Sequence, residues 1–313
     1  MEPLSTRIAF GKRLLKLAEV DRDFVVCSAD TKACGLEHFG ELFPGREFKF
    51  GIAEQNLVDA AAGLAICGNK VFLATFAVFA SMRACEQIRT FVCHTDLNVT
   101  ILATHTGLQV GGDGATHAAV EDVGIMRSLP RMTIIQPSDA VSAASAADAA
   151  LAFSGPLYVR LHRNPVPDIH ETNFEFRMNE VYHLRNYGND AVIVTSGILA
   201  GKALQAADAL HVKGKDIQVL EVPTLKPLNK MPVLMAAQTT RAVVTVEDHN
   251  IFNGLGSAVA EVLSEECPTR MKRIGIQDCF GESGDPELLY RDNHMSVEDI
   301  MAETEKLIER KRE

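Results

Sequence analysis

The chain has 313 residues and is 47% hydrophobic, enough to bury the core of about two domains. Its 31 Lys and Arg against 41 Asp and Glu leave a formal net charge of −10, which disfavours nucleic acid and anionic membrane as partners. Seven cysteines without a Cys-x-x-Cys pair, no apolar run behind the charges of MEPLSTRIAFGKRLLKLAEV, and a longest apolar run (VFLATFAVFA) too short for a bilayer argue against a disulfide frame, a signal peptide and a membrane span. A soluble, cytoplasmic protein is the expectation.

Short apolar runs alternate with helical patterns, the signature of parallel α/β layering. In the first half, strands are expected at Phe24–Ser28, Val71–Ala74, Val99–Thr104, Thr133–Gln136 and Leu157–Leu161, with helices near Leu4–Glu19, Gln55–Cys67, Ser81–His94, Ala118–Ser128 and Ala140–Phe153. The stretch Asn164–Glu180 has two early prolines, mixed charge and no period, and reads as a linker or surface strap. A second alternating unit follows, with strands at Ala191–Thr195, Gln218–Glu221, Ala242–Val246 and Lys272–Gly275 and helices at Leu199–His211, Gly254–Glu265 and Ser296–Arg310. The expected division is 1–165, a linker at 166–188, and 189–313.

Ligands of open parallel sheets gather beyond the carboxyl ends of strands. That edge collects Asp30, Phe76, Phe79, His105 and the loop GGDGATHAAVED, Gly111–Asp122. A magnesium-diphosphate motif requires an asparagine about thirty residues beyond its Gly-Asp-Gly to complete a hard-cation shell. No asparagine occurs between Val99 and Arg163, so no metal ligands are assigned to this chain. What remains is a carboxylate, Asp113, and two imidazoles, His105 and His117, a set suited to binding and protonating sugar oxygens. The same residues would equally shape a turn and fill ordinary surface or core positions.

Glu54 stands where FGIAEQNLVDAAAGLA turns into a helix. A carboxylate in a first helical turn is commonplace because it faces the positive end of the dipole; the functional alternative is a buried acid that shares a proton with a heteroaromatic nitrogen. Phe76 and Phe79 are spaced to wall a flat ring or simply to pack a core. Arg163, in YVRLHRNP, suits a phosphate group or a solvated strand end. Gly254-Leu-Gly256 opens a helix that suits an anion or close helix packing.

Together these residues resemble the carboxyl-terminal half of a transketolase, without the amino-terminal diphosphate-binding domain. The resemblance covers nearly the whole chain and is most specific at Gly112, Asp113, Gly114, Thr116, His117, Glu121 and Asp122, with Ser128, Leu129, Pro130 and Pro137 matching further on. It implies a pyrimidine-binding thiamine-diphosphate fold followed by a smaller transketolase-type α/β domain. It also implies that Glu54 protonates the cofactor's aminopyrimidine and that Phe76 and Phe79 enclose that ring. His105 and His117 match substrate-channel histidines, Asp113 a ligand of a substrate hydroxyl, Asp30 an active-site-edge aspartate, and Arg163 a ligand of the substrate phosphate.

The resemblance further implies thiamine diphosphate with Mg2+ held by an amino-terminal partner subunit, in a two-fold symmetric heterotetramer that transfers a two-carbon ketol unit between sugars or sugar phosphates. Two departures bear on the substrate. Cys34 stands where many transketolases have a serine that helps hold phosphate, which points to a branched or deoxygenated sugar, or one with another anion. Ala53-Glu54-Gln55 replaces the more usual Arg-Glu-His and resembles a deoxyxylulose-phosphate synthase. The alternatives are such a synthase, the beta subunit of a 2-oxo acid dehydrogenase, and a non-catalytic protein on the same fold.

Overall fold

The computed structural model describes residues 4–29 and 34–312; Asp30, expected at the site's edge, lies outside the described residues. The first half contains α1 (Thr6–Val20), β1 (Phe24–Ser28), α2 (Phe39–Leu42), β2 (Glu47–Lys49), α3 (Glu54–Ile66), β3 (Lys70–Phe76), α4 (Cys85–Gln87), β4 (Val99–Thr104), α5 (Asp122–Ser128), β5 (Thr133–Ile135), α6 (Ala140–Ala152) and β6 (Leu157–Arg160). The second contains β7 (Tyr182–Asn186), β8 (Ala191–Thr195), α7 (Ala200–Val212), β9 (Ile217–Glu221), β10 (Thr224–Lys226), α8 (Lys230–Thr240), β11 (Ala242–Asn250), α9 (Leu255–Glu266), β12 (Arg270–Ile276), α10 (Pro286–Asp292) and α11 (Val297–Arg312).

The strands form a seven-stranded sheet, ordered β10-β5-β6-β4-β3-β1-β2, and a five-stranded sheet, ordered β12-β11-β8-β9-β7. Neighbours are parallel except at one edge of each sheet, where β10 runs antiparallel to β5 and β7 antiparallel to β9. Central strands such as β4 and β8 are buried along their whole length, which is why they read as unbroken apolar runs rather than alternating ones.

Helices cover both faces of the first sheet. The alanine-rich α6 starts at a capping box, in which Asp139 Oδ1 accepts from Ser142 N at 2.7 Å and Ser142 Oγ accepts from Asp139 N at 3.1 Å. Its small side chains let it lie against α1, where Arg13 grips Asp148 through two nitrogens at 2.6 and 2.8 Å. On the opposite face one apolar cluster runs from Val71 and Leu73 through Ile134 to Val192 and Val194, so the two sheets share a core.

Several elements differ from the sequence expectation. The helix expected from Ala118 begins only at Asp122, because Ala119 bridges Thr106 and the Val120 carbonyl accepts from Asn250 N at 2.8 Å. Residues Phe79–Arg83 and Ile88–Cys93 are wound wider than an α-helix, with α4 between them. The far end of the expected linker is β7, and the charged continuation Glu247-Asp248-His249 of β11 is buried strand rather than loop. Five further elements lie where the sequence expectation placed neither strand nor helix: α2, β2, β10, α8 and α10.

Candidate active site

Gly51, at φ +66°, turns the chain into α3, so that Glu54 is the first helical residue. Glu54 is 2% exposed and its Oε2 accepts from Arg83 Nη1 at 2.7 Å. The Arg83 guanidinium lies 4.2 Å over the Phe79 ring, which links the carboxylate to the aromatic wall. Phe76 closes β3 and its ring is 5.9 Å from that of Phe79, tilted by 31°. Both phenylalanines are half-buried, so one side of the pair faces solvent.

The histidines complete this wall. His105 follows β4 directly and sits in the left-handed region at φ +62°, a conformation a non-glycine residue holds only when its surroundings impose it. Its ring is 4.2 Å from Phe76, and its Nδ1 is 2.9 Å from Thr104 Oγ1. The His117 ring stands edge-on to Phe76 and Phe79, at 5.7 and 5.4 Å. Burial, reinforced by the positive charges of Arg7 and Arg163, lowers the His105 imidazole to about 3. His105 is therefore a neutral hydrogen-bonding ring at neutral pH rather than a proton carrier.

Arg163 closes the other side of the loop. Its Nη1 donates to Val110 O at 2.5 Å and pairs with Asp113 Oδ2 at 2.9 Å. Arg7, on α1, donates from Nε to the Arg163 carbonyl at 3.3 Å, placing a second guanidinium beside the loop. Cys34 is 1% exposed and packs among the core side chains under α1. Burial raises its thiol to about 12, against the pull of Arg7, so it is a neutral and weak hydrogen-bond partner.

Of the residues expected from the sequence, Glu54, Phe76, Phe79, His105, His117, Asp113 and Arg163 line one stretch of the first sheet's carboxyl edge. Arg83, Arg7 and Asp248 were not singled out. A sequence signal exists for two of them: Arg83 follows Phe79 by one helical turn, and Asp248 belongs to a charged triplet that ends an apolar strand. Asp122, part of the motif match, is wholly buried and bonded to Arg160 and Tyr158. It is scaffold beneath the loop.

Gly254-Leu-Gly256 does hold an acidic group, and the group is internal: burial pushes the Glu247 carboxyl up to about 7, against the pull of the two backbone N–H groups it accepts from. Glu247 accepts from Leu255 N and Gly256 N, both at 2.7 Å, and a side chain at Gly254 would collide with its carboxylate. Among the described residues no group of three or more His, Cys, Asp and Glu is placed to hold a metal ion, and no helix is long and apolar enough to cross a membrane. A buried carboxylate beside two half-exposed phenylalanines fits a flat heteroaromatic ring with a basic nitrogen, provided that Arg83 yields its place on Glu54 and Phe79.

Residues 2–168 match the transketolase pyrimidine-binding domain and residues 180–300 the transketolase C-terminal domain. The chain is 38% identical over 299 residues to a 6-deoxy-6-sulfo-D-fructose transketolase subunit, SqwH, of Clostridium sp. (strain MSTE9), covering 95% of this chain and 92% of that protein. It is also 38% identical over 308 residues to a putative transketolase C-terminal section of Methanocaldococcus jannaschii, covering 96% of each. Among solved structures, a split gene transketolase described as an inactive beta4 tetramer superposes with a TM-score of 0.90 at 40% identity, over 97% of this chain and 98% of that one. The chain belongs to the transketolase family and corresponds to the carboxyl-terminal subunit of a split transketolase.

Proposed function

We propose that this chain contributes the proton-handling and substrate-reading half of a ketol-transfer site, and that it acts only with an amino-terminal-type subunit that holds the diphosphate of thiamine diphosphate and Mg2+. The observation that carries this reading is Glu54, buried at the head of α3 and flanked by a half-exposed phenylalanine pair. The cofactor, when bound, supplies a nucleophilic carbon and an electron sink. Glu54 holds a proton against the pyrimidine nitrogen, while Phe76 and Phe79 pack that ring and keep water from the carboxylate.

His105, neutral, hydrogen-bonds a sugar oxygen. His117 and Asp113 orient further hydroxyls, and Arg163 together with Arg7 attracts the substrate's anionic end. Asp30 is expected to act at the edge of the substrate site. The SqwH relative is named for a sulfonated ketose. With Cys34 buried and neutral, we infer that this chain reads its donor's anion chiefly by charge rather than through a serine hydroxyl, and that the donor departs from the common pentose phosphates. The assembly expected is a two-fold symmetric tetramer of two chains of each kind.

The test is to co-express this chain with a subunit carrying Gly-Asp-Gly and the spaced asparagine, purify the complex, and assay ketol transfer with thiamine diphosphate and Mg2+ over a donor panel. Transfer by the complex and none by either chain alone is expected. A complex that binds the cofactor but decarboxylates 2-oxo acids, or transfers nothing, would overturn the reading. Equal efficiency with xylulose 5-phosphate and with sulfonated or deoxygenated ketoses would refute the inference about the donor.

A further inference from the structure

The loop between His105 and His117 has little sheet structure to hold it. Its backbone turns at three glycines, Gly107, Gly111 and Gly114, with φ of 66, 65 and 73°, and its described pairing is the bridge from Thr106 to Ala119. From the first half it is held by Ala119 O, which accepts from Gly107 N at 2.9 Å, by Asn164 on Gln109 and by Arg163 on Val110 and Asp113, and a second set of contacts comes from the second sheet's half of the chain. Asp248, 1% exposed near the end of β11, accepts from Leu108 N through Oδ1 at 3.0 Å and from the Tyr290 hydroxyl through Oδ2 at 2.8 Å. A Cβ on Gly107 would lie 1.9 Å from Asp248 Oδ2, so the carboxylate occupies the space a side chain there would need.

Around this anchor the same half closes on the rest of the loop. Gly284 N donates to Gly111 O at 3.4 Å, and a Cβ on Gly114 would lie 2.3 Å from Ser283 Oγ. Arg160, at the end of β6, donates to the Asp248 carbonyl at 2.9 Å, which fixes the strand bearing the carboxylate against the first sheet.

We propose that Asp248, held by Tyr290, is a positioning residue for substrate: it fixes Gly107–Leu108, and through them the spacing between His105 and the Asp113–His117 turn. Asp248 faces the buried side of the loop and touches no reacting group, so its influence falls on donor binding rather than on cofactor activation. This assigns the second domain a part in substrate reading. The proposal rests on the loop binding substrate, as set out above.

The test has two arms, so that failure of the functional reading is distinguishable from failure of the proposal. In the first, the isolated chain is followed by amide hydrogen exchange. Asp248→Ala should speed exchange across peptides spanning 105–118 at least roughly tenfold, because Leu108 N is left without its acceptor. Asp248→Asn, whose oxygen still accepts from Leu108 N, should restore slow exchange, and Tyr290→Phe should give an intermediate rate. Peptides of α6 should exchange as in the wild type; if they accelerate equally, the effect is global and the proposal fails.

In the second arm the complex with the partner subunit is assayed. Asp248→Ala should raise the donor KM roughly tenfold, with kcat within about threefold and thiamine diphosphate affinity unchanged, and Asp248→Asn should restore the KM. An unchanged KM alongside accelerated exchange would overturn the positioning role. Slow exchange in Asp248→Ala would overturn the anchor itself, whether or not the complex transfers ketol units.

Discussion

Removing one carboxylate from the junction between the two sheets should cost far more than removing any surface charge. Asp122 is 0% and Arg160 1% exposed. Arg160 donates to Asp122 from Nε at 3.0 Å and from Nη2 at 3.0 Å, and the Tyr158 hydroxyl donates to the same carboxylate at 2.9 Å. In Asp122→Ala the guanidinium keeps the carbonyls of Ala119 and Asp248, at 3.1 and 2.9 Å, and the nearby Asp248 carboxylate, but has lost the counter-charge that is bonded to it. Leaving a buried charge uncompensated costs about 3–5 kcal/mol, and the orphaned Tyr158 hydroxyl adds up to roughly 1–3 kcal/mol, not fully additively. In urea, with a slope of about 3 kcal/mol per molar, the midpoint should fall by roughly 1 M or more. Replacing both ions by apolar groups, Asp122→Leu with Arg160→Met, should recover part of that loss, because the unpaired guanidinium is no longer buried, although the carbonyls of Ala119 and Asp248 lose their donor and the Asp248 carboxylate its nearby cation. A single variant within about 1 kcal/mol of wild type, or a double variant less stable than the single, would refute the reasoning.

Three further outcomes follow from the same geometry. Arg83→Ala should cost the unliganded chain roughly 1–3 kcal/mol, because Glu54, 2% exposed, loses the guanidinium that donates to it, yet tighten binding of thiamine diphosphate to the assembled complex by freeing Glu54 and Phe79; weaker binding would make Arg83 a ligand instead. The His105 ring should show no titration by NMR between pH 5 and 9, since burial and two nearby guanidiniums lower it to about 3; a midpoint near 6.5 would contradict that environment. His170, on the strap, stands 2.9 Å from Glu221 Oε2, beside Asp139 and Asp168, and although burial works against its charged form, Glu221 raises its imidazole above the ordinary 6.5. The ion pair's stabilisation should therefore be complete below pH 6.5 and fade as pH rises through the raised value, and His170→Gln should remove that decline; an unchanged decline in the variant would assign it elsewhere.

Buried parallel strands and the loop motif were legible in the sequence because each imposes its own pattern. Phe24–Ser28 and Val99–Thr104 fall where their unbroken apolar runs begin and end, as two-sided burial requires. Glu54 could be placed at the head of its helix because FGIAEQNLVDAAAGLA passes there into a helical pattern. The triplet Glu247-Asp248-His249 defeated sequence reasoning because charge normally signals solvent. Here each member is buried and bonded, to the head of α9, to Leu108 and Tyr290, and to Gly124 N at 3.3 Å respectively. The edge strand β10 was illegible for another reason: it is three residues long and its partner β5 is distant in sequence, so no local period marks it. Arg83 was passed over because a lone arginine on a helix is usually solvated, and only the fold places it on Glu54.

The central claim is that Glu54 is the cofactor's proton partner, and Glu54→Gln in the assembled complex tests it most directly. The glutamine keeps the shape of the side chain and removes the acid, so the complex should form, bind thiamine diphosphate within a few-fold of wild type, and lose ketol transfer by about 10²–10⁴-fold. Turnover close to that of the wild type would contradict the account.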